Sequence, residues 1–280
     1  MPLRALLGKL KIFEFICFLN VFSRFDGYTH FNKSIKEVNI MSYQNLFERT
    51  EKKYLVTAAQ QAALLKIVGS RLQEDKYARS TILSLYFDTD DYRMIRASVE
   101  KPIYKEKLRL RSYGVPKDDT TVFLELKKKY KSVVYKRREG MTLTDARAFI
   151  DTGKGAKDSQ ITKEIEWQFR FYPNLQPRVL ISYDRLALVG TEERDLRITF
   201  DSNILYRDYD LDLASGIGGE RILDVGMRVM EIKALDAMPL WLCDTLDMLK
   251  IYPASFSKYG TAYTRMHENK FFIKGADHCA

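Results

Sequence analysis

Between Tyr104 and Tyr113 the chain sets Lys105, Lys107, Arg109 and Arg111 at every second position, with Leu108 and Leu110 between them. An extended strand turns residues i, i+2 and i+4 to one face, so the cations share one face and the leucines the other. The pattern returns along the chain. Arg49, Glu51 and Lys53 share a face, and Glu125, Lys127 and Lys129 lie opposite Val122, Leu124 and Leu126. Arg197, Thr199 and Asp201 alternate with Leu196, Ile198 and Phe200, and Val229, Glu231 and Lys233 form another face. A third basic run brings Lys136, Arg137 and Arg138.

One charged strand face is ordinarily the solvated side of a sheet. Recurrence on at least four strands, with carboxylates interleaved, points instead to charged faces turned inward and apolar faces packed outward under helices. A cation-lined interior repels itself: a like pair about 4 Å apart costs about 4 kcal/mol at an effective dielectric near 20. A polyanion relieves that repulsion. Arg grips two phosphate oxygens at once, while Lys acts as a point charge. The interleaved Glu and Asp offer hard oxygen ligands for Mg²⁺ or Mn²⁺, which phosphoryl transfer commonly uses.

The elements that must position these groups are mostly strands. Period-two runs cover Phe47–Leu55, Thr81–Asp88, Tyr104–Tyr113, Val122–Lys129, Ser132–Glu139, Arg178–Val189, Asp195–Asp201 and Met227–Lys233. Helical patterns occupy Thr57–Leu72 with Thr57 as N-cap, then Thr144–Ile150, Lys163–Phe171 and Asp236–Leu249. Ser255–Gly260 closes the domain. Many strands with few helices between them predict an α+β fold. The expected form is a closed antiparallel β-barrel, a tunnel of about eight strands with peripheral helices, because closure removes sheet edges. Lys128, Lys129 and Lys131 read as a solvated rim.

Composition narrows the chemistry. The 280 residues are 46% hydrophobic and 30% charged, with a net charge of +9, which favours an anionic partner. Cys17, Cys243 and Cys279 make no disulfide framework, and they have no zinc spacing with His30, His267 or His278. This cysteine usage suits a reducing, cytoplasmic location. The chain has no GxxxxGK[ST] loop and no GxSxG elbow, so side chains must bind any phosphate. Residues 1–40 read as an N-terminal extension ahead of a working start at Met41, and 41–280 as the domain. The apolar run Ile12–Phe22 contains Glu14 and Asn20 and falls short of the about 20 residues a membrane span needs. The alternative for residues 1–40 is an amphipathic membrane-surface or partner helix.

Taken in order, Arg49–Tyr54, Leu85–Thr89, Lys107–Gly114, Leu124–Lys127, Tyr183–Arg185, Leu196–Asp201, Met230–Lys233 and Phe256–Tyr259 resemble the catalytic domain of the vacuolar transporter chaperone (VTC) family. That family is the polyphosphate polymerase branch of the triphosphate tunnel metalloenzymes, the CYTH-like superfamily. The resemblance covers about residues 43–265. It implies a phosphotransferase that moves the ATP γ-phosphate onto inorganic polyphosphate and needs Mn²⁺ or Mg²⁺. It implies that Lys53, Arg109, Arg111, Lys127, Arg185, Arg197 and Lys258 contact phosphates, with Arg109, Arg111, Arg185 and Arg197 aligning the transferring group. It also implies that Ser257 donates a hydrogen bond beside Lys258. Glu231 is the expected metal ligand, with Glu125 and Glu51 as weaker ligand or orienting candidates. The wider superfamily carries Glu-x-Glu-x-Lys on its first strand, where this chain has Arg49, Glu51 and Lys53. Losing one carboxylate favours the VTC branch over a two-metal hydrolase. The expected partners are ATP and inorganic polyphosphate, with no nucleic acid and no transmembrane segment; a membrane-protein partner is left open. The rival readings are a triphosphatase in the same tunnel, acting on tripolyphosphate, a nucleoside triphosphate or an RNA 5′ end, and a non-catalytic binder of polyphosphate or nucleic acid.

Overall fold

In the computed structural model, which describes residues 49–100, 103–131, 133–235 and 237–276, the alternating segments form strands. These are β1 (Arg49–Thr57), β2 (Leu72–Asp88), β3 (Tyr104–Tyr113), β4 (Thr121–Tyr130), β5 (Val133–Thr142), β6 (Gln176–Gly190), β7 (Arg197–Arg207), β8 (Glu220–Arg221) and β9 (Met227–Leu235). All pair antiparallel in one nine-stranded sheet of order β1-β9-β7-β6-β2-β3-β4-β5, with β8 beside β7. The expectations for residues 1–40 lie outside the described residues.

The helices are α1 (Ala58–Val68), α2 (Arg93–Val99), α3 (Leu143–Thr152), α4 (Gln160–Phe171), α5 (Leu240–Met248) and α6 (Lys258–Ala276). Thr57 caps α1 as its sequence position predicts: its hydroxyl accepts the Gln60 N–H at 3.1 Å, and Gln60 reaches back to the Thr57 N–H at 3.0 Å. Helix α3 stops at Gly153, whose φ of 67° lets the chain turn left-handed.

The apolar strand faces do pack outward under helices. Leu83, Leu85, Leu108, Leu110, Leu124 and Leu126 join Phe149 of α3 and Ile165 of α4. Tyr54, Ile198, Phe200, Met230 and Ile232 join Leu64 of α1 and Leu242 of α5. The opposite face is only partly charged. Its other part, including Ile82, Tyr86, Ile181, Tyr183, Ile204 and Val229, packs against Tyr259, Ala262 and Met266 of α6.

Helix α6 also corrects the expectation of a closed barrel. Among the described residues the strand order runs from β1 to β5, with no ladder joining these two ends. The free edge of β1 is taken by the chain entering α6: Tyr54 bridges Pro253, and the Ala254 N–H donates to the Lys53 carbonyl at 2.7 Å. The sheet is nonetheless strongly curled, because side chains of β1 and β3 both reach this same segment. Other elements differ from the sequence pattern in extent. Strand β2 begins at Leu72 rather than Thr81, β7 continues to Arg207, and α2 and α6 are helices beyond those expected, although Tyr259, Ala262, Tyr263 and Met266 of α6 do fall at helical spacing. The early part of β2 is mostly exposed, so burial imposed no alternation there to read.

Candidate functional site

Three ionic clusters line the inward face of the curled sheet. The first centres on Asp201 of β7, which sits opposite Arg185 of β6 in the ladder. Arg185 grips it with both ends of its guanidinium, Nε to Oδ1 at 2.7 Å and Nη2 to Oδ2 at 2.8 Å. Lys258, at the start of α6, donates to Oδ2 at 2.5 Å. The Tyr183 ring lies beneath both cations, 4.5 Å from Lys258 Nζ and 5.3 Å from the Arg185 guanidinium. Burial would raise the Asp201 carboxyl, but Lys258 and Arg185 outweigh it and hold it at about 2.

The second centres on Glu125 of β4, whose side chain is 1% exposed. Arg109 Nε donates to Oε2 at 2.7 Å and Arg138 Nε to Oε1 at 2.7 Å; Lys136 stands 3.2 Å away and Arg111 3.8 Å away. Burial pushes this carboxyl up, and its cationic neighbours, Arg109 foremost, pull it well below the usual carboxylate range. Arg111 is held from its other side by the Ser84 and Tyr183 hydroxyls, each at 3.3 Å. Arg109 Nη1 donates to the Tyr86 hydroxyl at 3.2 Å.

The third lies where β1 meets β9. Lys233 stands between two carboxylates, Glu231 at 2.5 Å and Glu51 at 4.0 Å. Opposite Glu231 in the ladder is Lys53, whose ammonium donates to the Phe256 carbonyl at 3.1 Å. Burial lowers the Lys53 pKa, and nearby Lys258 and Lys127 add to the lowering against Glu231 and Glu51. Lys107 of β3 donates to Ser257 Oγ at 3.1 Å; burial brings its ammonium down to about 8, with Lys53, Lys105 and Lys127 adding to the effect. Lys107 and Lys127 stand directly opposite each other in the β3–β4 ladder, where like charges are destabilising. Among the described residues Lys53, Lys107 and Lys127 form no salt bridge.

The predicted residues therefore divide. Arg109, Arg111, Arg185, Lys258, Lys53, Glu231 and Glu51 all sit within these clusters. Lys127 is solvent-exposed at their margin. Arg197 lies opposite Lys233 in the β7–β9 ladder, at the margin of the third cluster, but its guanidinium is 46% exposed and pairs with Asp75 at 2.6 Å near the start of β2. Ser257 works locally as the N-cap of α6: its hydroxyl accepts the Gly260 N–H at 3.1 Å as well as the Lys107 ammonium. Lys128 is no rim residue, being 5% exposed. Lys107, Lys136 and Arg138 were noted as basic strand residues but given no site role, and neither Tyr86 nor the anchoring role of Asp201 was singled out by sequence. Lys107 carried the period-two signal, and Lys136 and Arg138 lay in the basic run of the third strand. Tyr86 had neither signal, because the segment Ile82–Phe87 carries no charge on either face, with Ile82, Ser84 and Tyr86 on one and Leu83, Leu85 and Phe87 on the other.

The donor sets differ in their fit to a hard divalent ion. Glu51 and Glu231 already share one ammonium, and such a pair of carboxylate donors suits Mg²⁺ or Mn²⁺ with phosphate and water completing the shell. Glu125 does not fit the ligand role expected of it, since four cations occupy its oxygens and their charge opposes a fifth. Among the described residues no three His, Cys, Asp or Glu side chains form a ready-made metal cluster. None of the described helices is long and apolar enough to cross a membrane.

The curled antiparallel sheet thus gathers lysines that form no salt bridge and carboxylate-anchored arginines on its inner face, an arrangement whose charge suits an anion. The VTC domain model matches residues 48–267, and the chain belongs to the VTC domain family. No curated protein matches the chain. Among solved structures, it is similar to a candidate adenylate cyclase from Bacillus halodurans, at 14% identity over 74% of this chain and 92% of that one, TM-score 0.45. It is also similar to HpAC1 from Hippeastrum, described as a candidate adenylyl cyclase with a dominant triphosphatase activity, at 15% identity over 76% and 94% of the two chains, TM-score 0.48. Likenesses of this size assign no activity to the present chain.

Proposed function

We propose that this chain is a metal-dependent phosphotransferase that passes the γ-phosphate of ATP to a growing inorganic polyphosphate chain. The observation that carries the reading is the set of three lysines, Lys53, Lys107 and Lys127, gathered from β1, β3 and β4 without carboxylate partners among the described residues. Glu231 and Glu51 offset the repulsion only at Lys53, and an anion with several charges would relieve the rest. Membership of the VTC domain family directs that anion toward phosphate chains.

In this reading Arg109, Arg111, Arg185 and Lys258 bind the phosphates. Asp201 and Glu125 hold those cations in place, so little reorganisation is needed when charge develops. Glu231 and Glu51 would hold Mg²⁺ or Mn²⁺, which supplies charge neutralisation on the phosphate oxygens when bound. A terminal oxygen of the acceptor phosphate attacks the γ-phosphorus, the bond to the bridging β–γ oxygen breaks, and ADP leaves with that electron pair. The protein need supply no nucleophile, and alignment of donor and acceptor by the fixed arginines does the chemical work.

The test incubates the purified full chain with ATP and Mn²⁺, resolves products on a gel stained for polyphosphate and measures free phosphate alongside. A ladder that disappears in Glu231→Gln supports the proposal. Free phosphate without a ladder replaces it with a triphosphatase, and tight polyphosphate binding without either product replaces it with a binding module.

A further inference from the structure

Tyr86 occupies a place in the site that phosphate binding by cations does not explain. It lies on the inward face of β2, opposite Arg109 in the ladder, and is 7% exposed. Its ring stacks on Tyr259 of α6 at 4.7 Å and 24°. Tyr259 is itself fixed, because its hydroxyl donates to Asp88 Oδ2 at 2.9 Å, and Asp88 also accepts the backbone N–H groups of Thr89, Met94 and Ile95. The stack seats the Tyr86 ring against α6 with its hydroxyl among the cations of β3. Arg109 is a donor only, so it fills a lone pair of the phenol oxygen and leaves the O–H hydrogen for another acceptor. The other groups facing this hydroxyl from β3 are Arg111 and Lys107, also donors only. Glu125 of β4 lies beyond Arg109 and is already engaged by its own four cations. Tyr259 is spent on Asp88.

We propose that the Tyr86 hydroxyl is a further phosphate-binding group of this site, oriented by Arg109 so that its proton is donated to a phosphate oxygen of the bound chain. The inference deepens the phosphotransferase reading and rests on it for the identity of the ligand. It has a consequence that a purely structural tyrosine lacks. A phenol among Arg109, Arg111 and Lys107 ionises early: burial would raise its pKa, but these cations bring it down to about 8. A phenolate would repel the polyanion and neutralise Arg109, so bound phosphate must hold the proton on.

Affinity alone does not isolate this effect, because Lys107 loses its charge over the same range. The phenolate absorbance near 295 nm does isolate it. The full chain is titrated from about pH 6.5 to 10.5 with and without inorganic tripolyphosphate, beside Tyr86→Phe, and tripolyphosphate binding is measured by calorimetry at each pH. The proposal expects one phenol ionising near pH 8 in the free protein, missing from Tyr86→Phe and moved up by about a unit or more when tripolyphosphate binds, together with about a tenfold weaker affinity in Tyr86→Phe near neutral pH. A near-pH-8 phenol that tripolyphosphate leaves unmoved, or identical titrations and affinities in the two proteins, overturns the role of Tyr86 while leaving the site a phosphate receptor. Wild-type protein that fails to bind tripolyphosphate overturns both.

Discussion

Lys53 and Lys107 stand on strands five places apart in the sheet, yet their ammonium groups bond to consecutive residues, Phe256 and Ser257, each at 3.1 Å. A flat sheet would separate those strands by about 24 Å at about 4.8 Å per strand. The segment leading into α6 is therefore the tie across the mouth of the curled sheet, and it brings together two cations that nothing else in the described chain pairs with a carboxylate.

Ser257 is the centre of that tie. Replacing it by Ala removes the α6 N-cap and the Lys107 acceptor together, with an expected loss of about 1 kcal/mol in urea unfolding. Ser257→Thr, which keeps the hydroxyl, is expected to recover most of it. Equal stability in the Ala variant would show that the tie contributes nothing.

Asp201→Ala leaves Arg185 and Lys258 buried without their shared carboxylate. The expected cost is about 3–5 kcal/mol, the range for breaking a buried ion pair from one side. An anion in the site can replace the missing charge. Thermal unfolding should therefore show a larger upward shift on adding tripolyphosphate in the variant than in the wild type; equal shifts would place the phosphates elsewhere.

The same carboxylate sets an acid limit. With its pKa held at about 2 in the folded chain, Asp201 binds its proton less readily there than when unfolded. Its contribution is fully present above the unfolded value near 4 and is lost as pH falls through about 2. One depressed group of this size contributes about 2 kcal/mol, and Glu125 acts in the same direction. Urea midpoints measured between pH 6 and pH 2 should fall mainly below about pH 4, and Asp201→Asn should flatten that fall.

Arg109 and Arg197 separate the inner site from its margin. Arg109→Ala is expected to stay folded, since Glu125 keeps Arg138, Lys136 and Arg111, and to lose transfer by at least about 100-fold. Arg197 is half exposed and held by Asp75, so Arg197→Ala is expected to change the rate by less than about tenfold. Steady-state rates on ATP with circular dichroism controls decide between these outcomes, and equal losses would return Arg197 to the centre of the site.

The alternation of charge and leucine along β3 and β4 determined, from the sequence by itself, that these strands carry cations on one face and a core on the other. Strand periodicity is a local property, so Arg109, Glu125 and Lys127 could be placed on a common face before any fold was known. The outward packing under helices followed for the same reason. Only the tertiary structure decided which of those charges are spent. Asp201 meets Lys258 from 57 residues away, and Lys53 meets Phe256 from 203 residues away. No short-range pattern encodes such a meeting, because it depends on how far the sheet curls and where α6 returns to its edge. Strand register neutralises Arg185 and Arg109 on the carboxylates directly opposite them, while the curl and the return of α6 leave Lys53 and Lys107 on neutral oxygens and Arg197 at the margin. That division of charge, rather than the number of basic residues, gives the site its capacity for a polyanion.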